Sequence, residues 1–248
     1  MKVFAGLFLA ICVIALGIFL ITPSTQGQKK DDDKSPVEKT TQFPIVDFAV
    51  ADSEADSDER KAKGIYFDRA RYGKIVEDLG IKYITYAESW VESLPAIPVK
   101  RSDIILTGNV SGSRAFLSKN KTNIYSEFSV KVDSLVRTDN GIAITPEQII
   151  AVNRMGGRVR FASGHIQNYC LSGAGALEIG KKYILFLKRD DSMRGFLLLT
   201  AFKIENEKIF PIDDTLGVDA YKDVTYSEFL KEIEKAITTS QNKEESHP

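Results

Sequence analysis

Apolar positions follow three successive patterns along this chain. Residues 3–21 are nineteen consecutive positions without charge or proline, behind Lys2 and ahead of Thr22-Pro23. About 20 apolar residues in helix cross a hydrocarbon layer of roughly 30 Å. The stretch therefore predicts an exported chain whose body lies outside the cytoplasm, with residues 1–27 acting as signal peptide or single-pass transmembrane anchor. The run exceeds the ~7–15 residues of a removable signal's apolar core, whereas Thr25-Gln26-Gly27 places small residues at the cleavage offsets. Both outcomes stay open, and Lys29 and Lys30 compete with Lys2 over orientation.

The second pattern is helical or absent. Residues 28–59 lose large apolar side chains and read as a flexible acidic linker, although 43–50 suit a strand that docks on the body. Over 58–79, Ile65, Tyr66, Arg69, Tyr72, Ile75, Val76 and Leu79 fall at spacings of three and four, predicting one apolar helix face that Gly80 ends. Residues 83–90 alternate, and Pro95 and Pro98 close a helical extension over 60–100.

From residue 102 the period becomes two. Strands are expected over 104–110, 123–136, 148–153, 158–162, 165–171, 183–188, 196–202 and 208–212, with Gly156-Gly157, Ser163-Gly164 and Asp190-Asp191-Ser192 as turns. Residues 183–188 are nearly all apolar and hence central. Short strands at regular spacing predict a sandwich or closed barrel over 101–213. A helix follows within 214–240, opened by Thr225-Tyr226-Ser227-Glu228 in the form of a capping box, and 241–248 form a disordered tail.

The stretches Ser102-Asp103-Ile104-Ile105-Leu106-Thr107-Gly108-Asn109-Val110, Tyr125-Ser126-Glu127-Phe128-Ser129-Val130-Lys131-Val132, Gly156-Gly157-Arg158-Val159 and Ile179-Gly180-Lys181-Lys182-Tyr183-Ile184-Leu185-Phe186-Leu187 resemble a group of uncharacterised exported bacterial proteins. More distantly they are similar to the netrin-like module of tissue inhibitors of metalloproteinases. The resemblance covers about residues 102–213. It implies an OB-like (netrin-like) small β-barrel; with the N-terminal helical extension and the C-terminal helix read above from the apolar spacing, the expected fold class is mainly β. The inhibitors' zinc-binding N-terminal cysteine and their disulfides have no counterpart here, so the resemblance implies a fold and no target.

Charge and chemistry narrow the function. Net charge is −1, yet residues 31–60 hold ten acids against three bases, and 154–194 hold eight bases against three acids. Either the acidic segment is a solvated linker beside a basic surface, or it folds over that surface or leaves it to an anionic partner. With Cys12 in the apolar run, Cys170 is alone in the body, and no intrachain disulfide is expected there. Only His165 and His247 are present, without CxxC, HxH or HExxH, so neither a metal site nor a cofactor is expected. Asp52, Glu54, Asp56 and Asp58 alternate as in a calcium loop but lack its central Gly and closing Glu. His165 and Cys170 are an odd offset apart in one strand, which argues against a catalytic dyad. No catalytic residue is assigned. The reading is a non-enzymatic binding or assembly module of the bacterial cell envelope, contacting an envelope protein, peptide or polymer. Its candidate ligand-binding residues are Arg158, Arg160, Phe161, Tyr169 and Lys188, and no nucleic-acid partner is expected. The alternative is an envelope hydrolase whose catalytic carboxylates carry no motif.

Overall fold

The computed structural model describes residues 43–49, 57–68, 73–86, 93–139 and 141–245, the last five by backbone only. All belong to the unit Lys34–Pro248. The elements are β1 (Ile45–Asp47), α1 (Asp58–Tyr66), β2 (Tyr83–Tyr86), β3 (Ile104–Leu117), β4 (Ile124–Thr138), β5 (Ile149–Met155), β6 (Gly157–Arg160), β7 (Ile166–Leu171), β8 (Lys182–Asp190), β9 (Gly195–Glu205), β10 (Lys208–Pro211) and α2 (Tyr226–Glu245). The chain is mainly β, with a C-terminal helix.

Two sheets form. One has the order β10-β9-β5-β4-β3-β8, and in it β9 also pairs with β8; the other has the order β1-β6-β7-β2. The long antiparallel β3–β4 ladder supports both. Register shifts at Ile105/Leu106, Thr107/Gly108 and Val110/Gly112 interrupt it, and such bulges bend and twist a strand. The first part of β3 pairs with β8 as far as Asn109. Beyond Gly112 its strand partner is β4 alone.

The apolar alternation sorts side chains into two layers. Ile104, Leu106, Val110, Phe128, Val130, Tyr183, Leu185 and Leu187 share one core. Ile105, Ile184, Phe186 and Phe202 face the other way, where Phe229 and Ile233 of α2 and Leu94 and Val99 cover them. Strand β8 is therefore buried on both faces, which explains its near-continuous apolar sequence. Helix α2 begins with the expected capping box: Thr225 N donates to Glu228 Oε2 (3.2 Å) and Glu228 N to Thr225 Oγ1 (3.3 Å).

Several expectations change. Helix α1 stops at Tyr66, well short of 79; Ile75 is buried, but Val76 and Leu79 are exposed. Beyond the helix, Asp68 Oδ1 accepts from Thr122 Oγ1 (2.5 Å) and Ser118 Oγ (3.1 Å), tying the chain to the β3–β4 turn. The span 60–100 is also not purely helical, because β2 joins β7 in parallel. Residues 45–47 form β1 on β6, within the stretch 43–50 expected to dock as a strand, so the linker expected over 28–59 is interrupted there. Helix α2 continues through Glu245, into the expected tail. Gly156-Gly157 is no hairpin turn. Gly156 alone separates β5 from β6, so the chain crosses between the sheets in one residue. Its φ of +119° is open only to glycine, and a Cβ there would stand 3.0 Å from the Phe43 ring. Among the described residues no helix is long and apolar enough to cross a membrane. Residues 3–21 lie outside the described set, as do Asp52, Glu54 and Asp56.

One buried ion pair crosses the fold. Arg154 Nη2 on β5 lies 2.7 Å from Asp213 Oδ1, with both side chains nearly inaccessible, and Gly175 N donates to the same oxygen (2.8 Å). Arg154 Nε and Nη1 and Asp213 Oδ2 have no hydrogen-bond partner. Such a pair adds little net stability, but losing one member strands the other charge. Asp213→Ala should therefore cost about 3–5 kcal/mol in urea unfolding, while a joint apolar replacement of Arg154 and Asp213 should cost much less.

Candidate functional site

A cleft of about 810 Å³ is walled by β1, α1 and the second half of β3. Each wall is held by sequence-distant contacts. Strand β1 runs parallel to β6, with Ile45 opposite Arg158 and Asp47 opposite Arg160. Its entry is fixed by Phe43, whose ring is fully buried against the Gly156 corner. Arg158 Nε donates to the Phe43 carbonyl (2.5 Å) and Arg158 N to the Pro44 carbonyl (2.9 Å).

Helix α1 is capped by Ser57, whose Oγ accepts from Arg60 N (3.1 Å). It is pinned by charge rather than by an apolar stripe. Lys63 is 1% exposed, and its Nζ lies 2.5 Å from both Glu59 Oε1 and Glu127 Oε2. Arg60 Nη2 reaches Glu127 Oε1 (3.2 Å) and Nη1 donates to Tyr125 Oη (3.0 Å). The Arg60 guanidinium also covers the Phe116 ring at 3.4 Å, a cation–π contact. At its far end Gly64 O accepts from Lys119 N (3.0 Å).

Glu127 governs the electrostatics. Burial works to raise its carboxyl, but Lys63 and Arg60 outweigh burial and hold it below the usual range. Burial raises the Tyr125 hydroxyl, partly opposed by Arg60. Arg114 stands opposite Glu127 in the β3–β4 register, yet that carboxylate is taken by the cations of α1. Arg114 and Lys119 are exposed and have no ion pair among the described residues. The described lining holds six cationic side chains, Arg60, Lys61, Arg114, Lys119, Lys121 and Arg158, against the single carboxylate of Asp47. Asp47 is itself 3.3 Å from Arg160. Ile65 adds apolar surface, being 57% exposed.

The five residues singled out from sequence do not form one surface. Arg158 lines the cleft, and Arg160 lies next to it on β6, exposed and facing Asp47. Phe161 is buried against Phe48, with ring centroids 5.3 Å apart. Tyr169 is buried and donates to Gln167 Oε1 (2.9 Å), and burial pushes its hydroxyl up. Lys188 sits on β8 opposite Leu197, in the other sheet. Phe161 and Tyr169 thus belong to the core of the small sheet with Ile75, Ala115, Ile124 and Val159. Cys170 is buried beside Thr85, and burial holds its thiol up, in the protonated form. The His165 ring meets the Ile81 carbonyl at 3.0 Å. Among the described residues no cluster of His, Cys, Asp and Glu is arranged to hold a metal.

Sequence reading missed Arg60, Arg114 and Lys119. The usable signal was the polar run Ser111-Gly112-Ser113-Arg114, followed by Lys119-Asn120-Lys121, between two strongly apolar strands. No protein-family model matches the chain, and no curated protein sequence matches it.

The lowered Glu127 carboxyl has a pH signature. Its folded form holds the proton less tightly than the unfolded chain. The stability it contributes is complete above the ordinary carboxylate range near ~4.3 and is lost as pH falls through the lower folded value. Glu127→Gln should flatten that acid-side decline in thermal-unfolding profiles. It should also cost about 2 kcal/mol at neutral pH, because Lys63 then keeps only Glu59.

Proposed function

We propose that this chain is an exported, non-enzymatic binding module of the cell envelope, built on an OB-type barrel, that holds an acidic polypeptide partner in the cleft between β1, α1 and β3. The apolar segment 3–21 supports export, either by an uncleaved anchor in the membrane or by secretion. The pairing pattern supports the barrel. Strands β3, β4, β5, β9 and β8 pair in a circuit, with β5 and β9 parallel over Val152–Phe196 and Asn153–Leu197 and the other pairs antiparallel. A five-stranded circuit of this kind is what an OB-type barrel would use, which favours that reading. The observation that bears most on function is the unbalanced charge of the cleft, at whose rim Arg114 and Lys119 stand exposed and unpaired among the described residues.

A polypeptide suits the cleft better than a nucleic acid. Sequence-tolerant binding of single strands relies on exposed aromatic faces. Here Phe116 is covered by Arg60, and Phe161 and Tyr169 are buried. An acidic chain matches the cations by charge and the Ile65 rim by its apolar side chains.

The test is binding of labelled poly-L-glutamate to the full-length protein, wild type against Arg114→Glu/Lys119→Glu. Exposed ion pairs contribute up to about 1 kcal/mol each, so the double reversal should weaken binding about tenfold, with the fold retained by circular dichroism. Unchanged affinity would overturn the proposal.

A further inference from the structure

The geometry points to how the cleft takes its partner. Resting on the binding role given above, we infer that recognition is by strand addition: an extended acidic segment pairs with the free edge of β3 over residues 112–117. Successive side chains of a strand project to opposite faces. A cleft that lies over one face therefore meets alternate residues. This one is lined by every residue from Ser113 to Lys119, so it runs along the side of the strand, where the backbone is presented. Pro44, Ile45, Val46 and Asp47 line it consecutively in the same way, and β1 is likewise the end strand of its sheet.

The hydrogen-bond pattern agrees. Val110 N donates to Lys181 O and Val110 O accepts from Gly180 N, closing the β8 side of β3 at that residue. After the shift at Val110/Gly112, strand pairing is with β4 only. Six residues of strand extend roughly 20 Å, enough to pair with a short extended segment. Edges of this kind are templates for another chain, and proteins guard them with charge, proline or bulges. Here no proline occurs between Ser111 and Leu117, and the guarding charge is Arg114. That charge selects the occupant. A second copy pairing through the same edge would bring Arg114 and Lys119 toward their counterparts, and like charges across a ladder repel. A segment alternating acidic and apolar residues instead sets carboxylates toward Arg114, on the face that α1 covers, and apolar groups toward Ala115 and Leu117, on the opposite face. Backbone pairing then supplies affinity, and the alternating side chains supply selectivity.

The probe is a short fluorescein-labelled peptide of alternating Glu and Val, titrated into the full-length protein. It is accompanied by two versions N-methylated on one or the other alternate set of amides. Amide exchange is followed over residues 112–117. The expected result has three parts. The plain peptide binds and slows exchange there. One methylated set weakens binding at least about tenfold, the loss of aligned backbone hydrogen bonds. Arg114→Glu/Lys119→Glu weakens the plain peptide. Binding that responds to the charge reversal but tolerates both methylated sets, without slowed exchange in β3, overturns strand addition and leaves the binding role standing. Binding indifferent to charge reversal, or no binding, overturns both. A dimer that slows the same β3 amides without peptide overturns the acidic occupant in favour of a second copy.

Discussion

Every other element is placed by the bent β3–β4 ladder. Its first half carries β8, and residues 125–131 of β4, in its second half, carry the strand β5. Its second half carries α1, through Tyr125 and Glu127, and part of the core under the small sheet, through Ala115 and Ile124. Strand β8 begins at Lys182, opposite Asn109, so the longer β3 runs on past it, beyond the bulges, with an unpaired flank, and the feature on which binding is argued follows from a strand long enough to serve two sheets. Gly108 is what the bend demands locally, because a Cβ there would stand 2.6 Å from Val130 Cγ1.

The cleft's charge follows from a competition rather than from an abundance of bases. Glu127 has two suitors on α1 and one across the ladder. Lys63, fully buried, cannot be left unpaired, since an isolated interior charge costs far more than an exposed one. Arg114 is exposed and loses little by remaining hydrated. The buried lysine therefore takes the carboxylate, and the surplus positive charge appears at the surface. A buried ion pair holding a helix in place and a basic binding rim are thus two outcomes of one assignment.

Much of the β architecture was legible because burial imposes a period of two. All eight strands expected after residue 102 are present, and the doubly buried β8 stood out by its unbroken apolar run. Strand β3 was read as ending at Val110, because Ser111-Gly112-Ser113-Arg114 shows no buried face. An edge bordering a solvent cleft needs none. Helix α1 was overextended because Ile75, Val76 and Leu79 copy a helical spacing, although the chain had already left the helix near Asp68. The aromatic residues chosen for a binding surface, Phe161 and Tyr169, went instead into the core of the small sheet, which needs its own apolar filling. The cleft was not legible, because a surface made by strand sides has no side-chain period. Its cations come from α1, β3, the β3–β4 turn and β6 and meet only after folding.

The entry of the chain into the fold has a mechanical side. Phe43, at the start of the first described segment, sits wholly inside the main core, wedged at the Gly156 corner and tied by its carbonyl to Arg158. A pull on the chain ahead of it would first have to draw an aromatic ring out of packed surroundings and break the bonds to Arg158, and only then load the parallel β1–β6 pairing along its length. Tension arriving from that side meets a plug before it meets a ladder, so the wall of the cleft formed by β1 is insulated from whatever tugs on the chain in front of it.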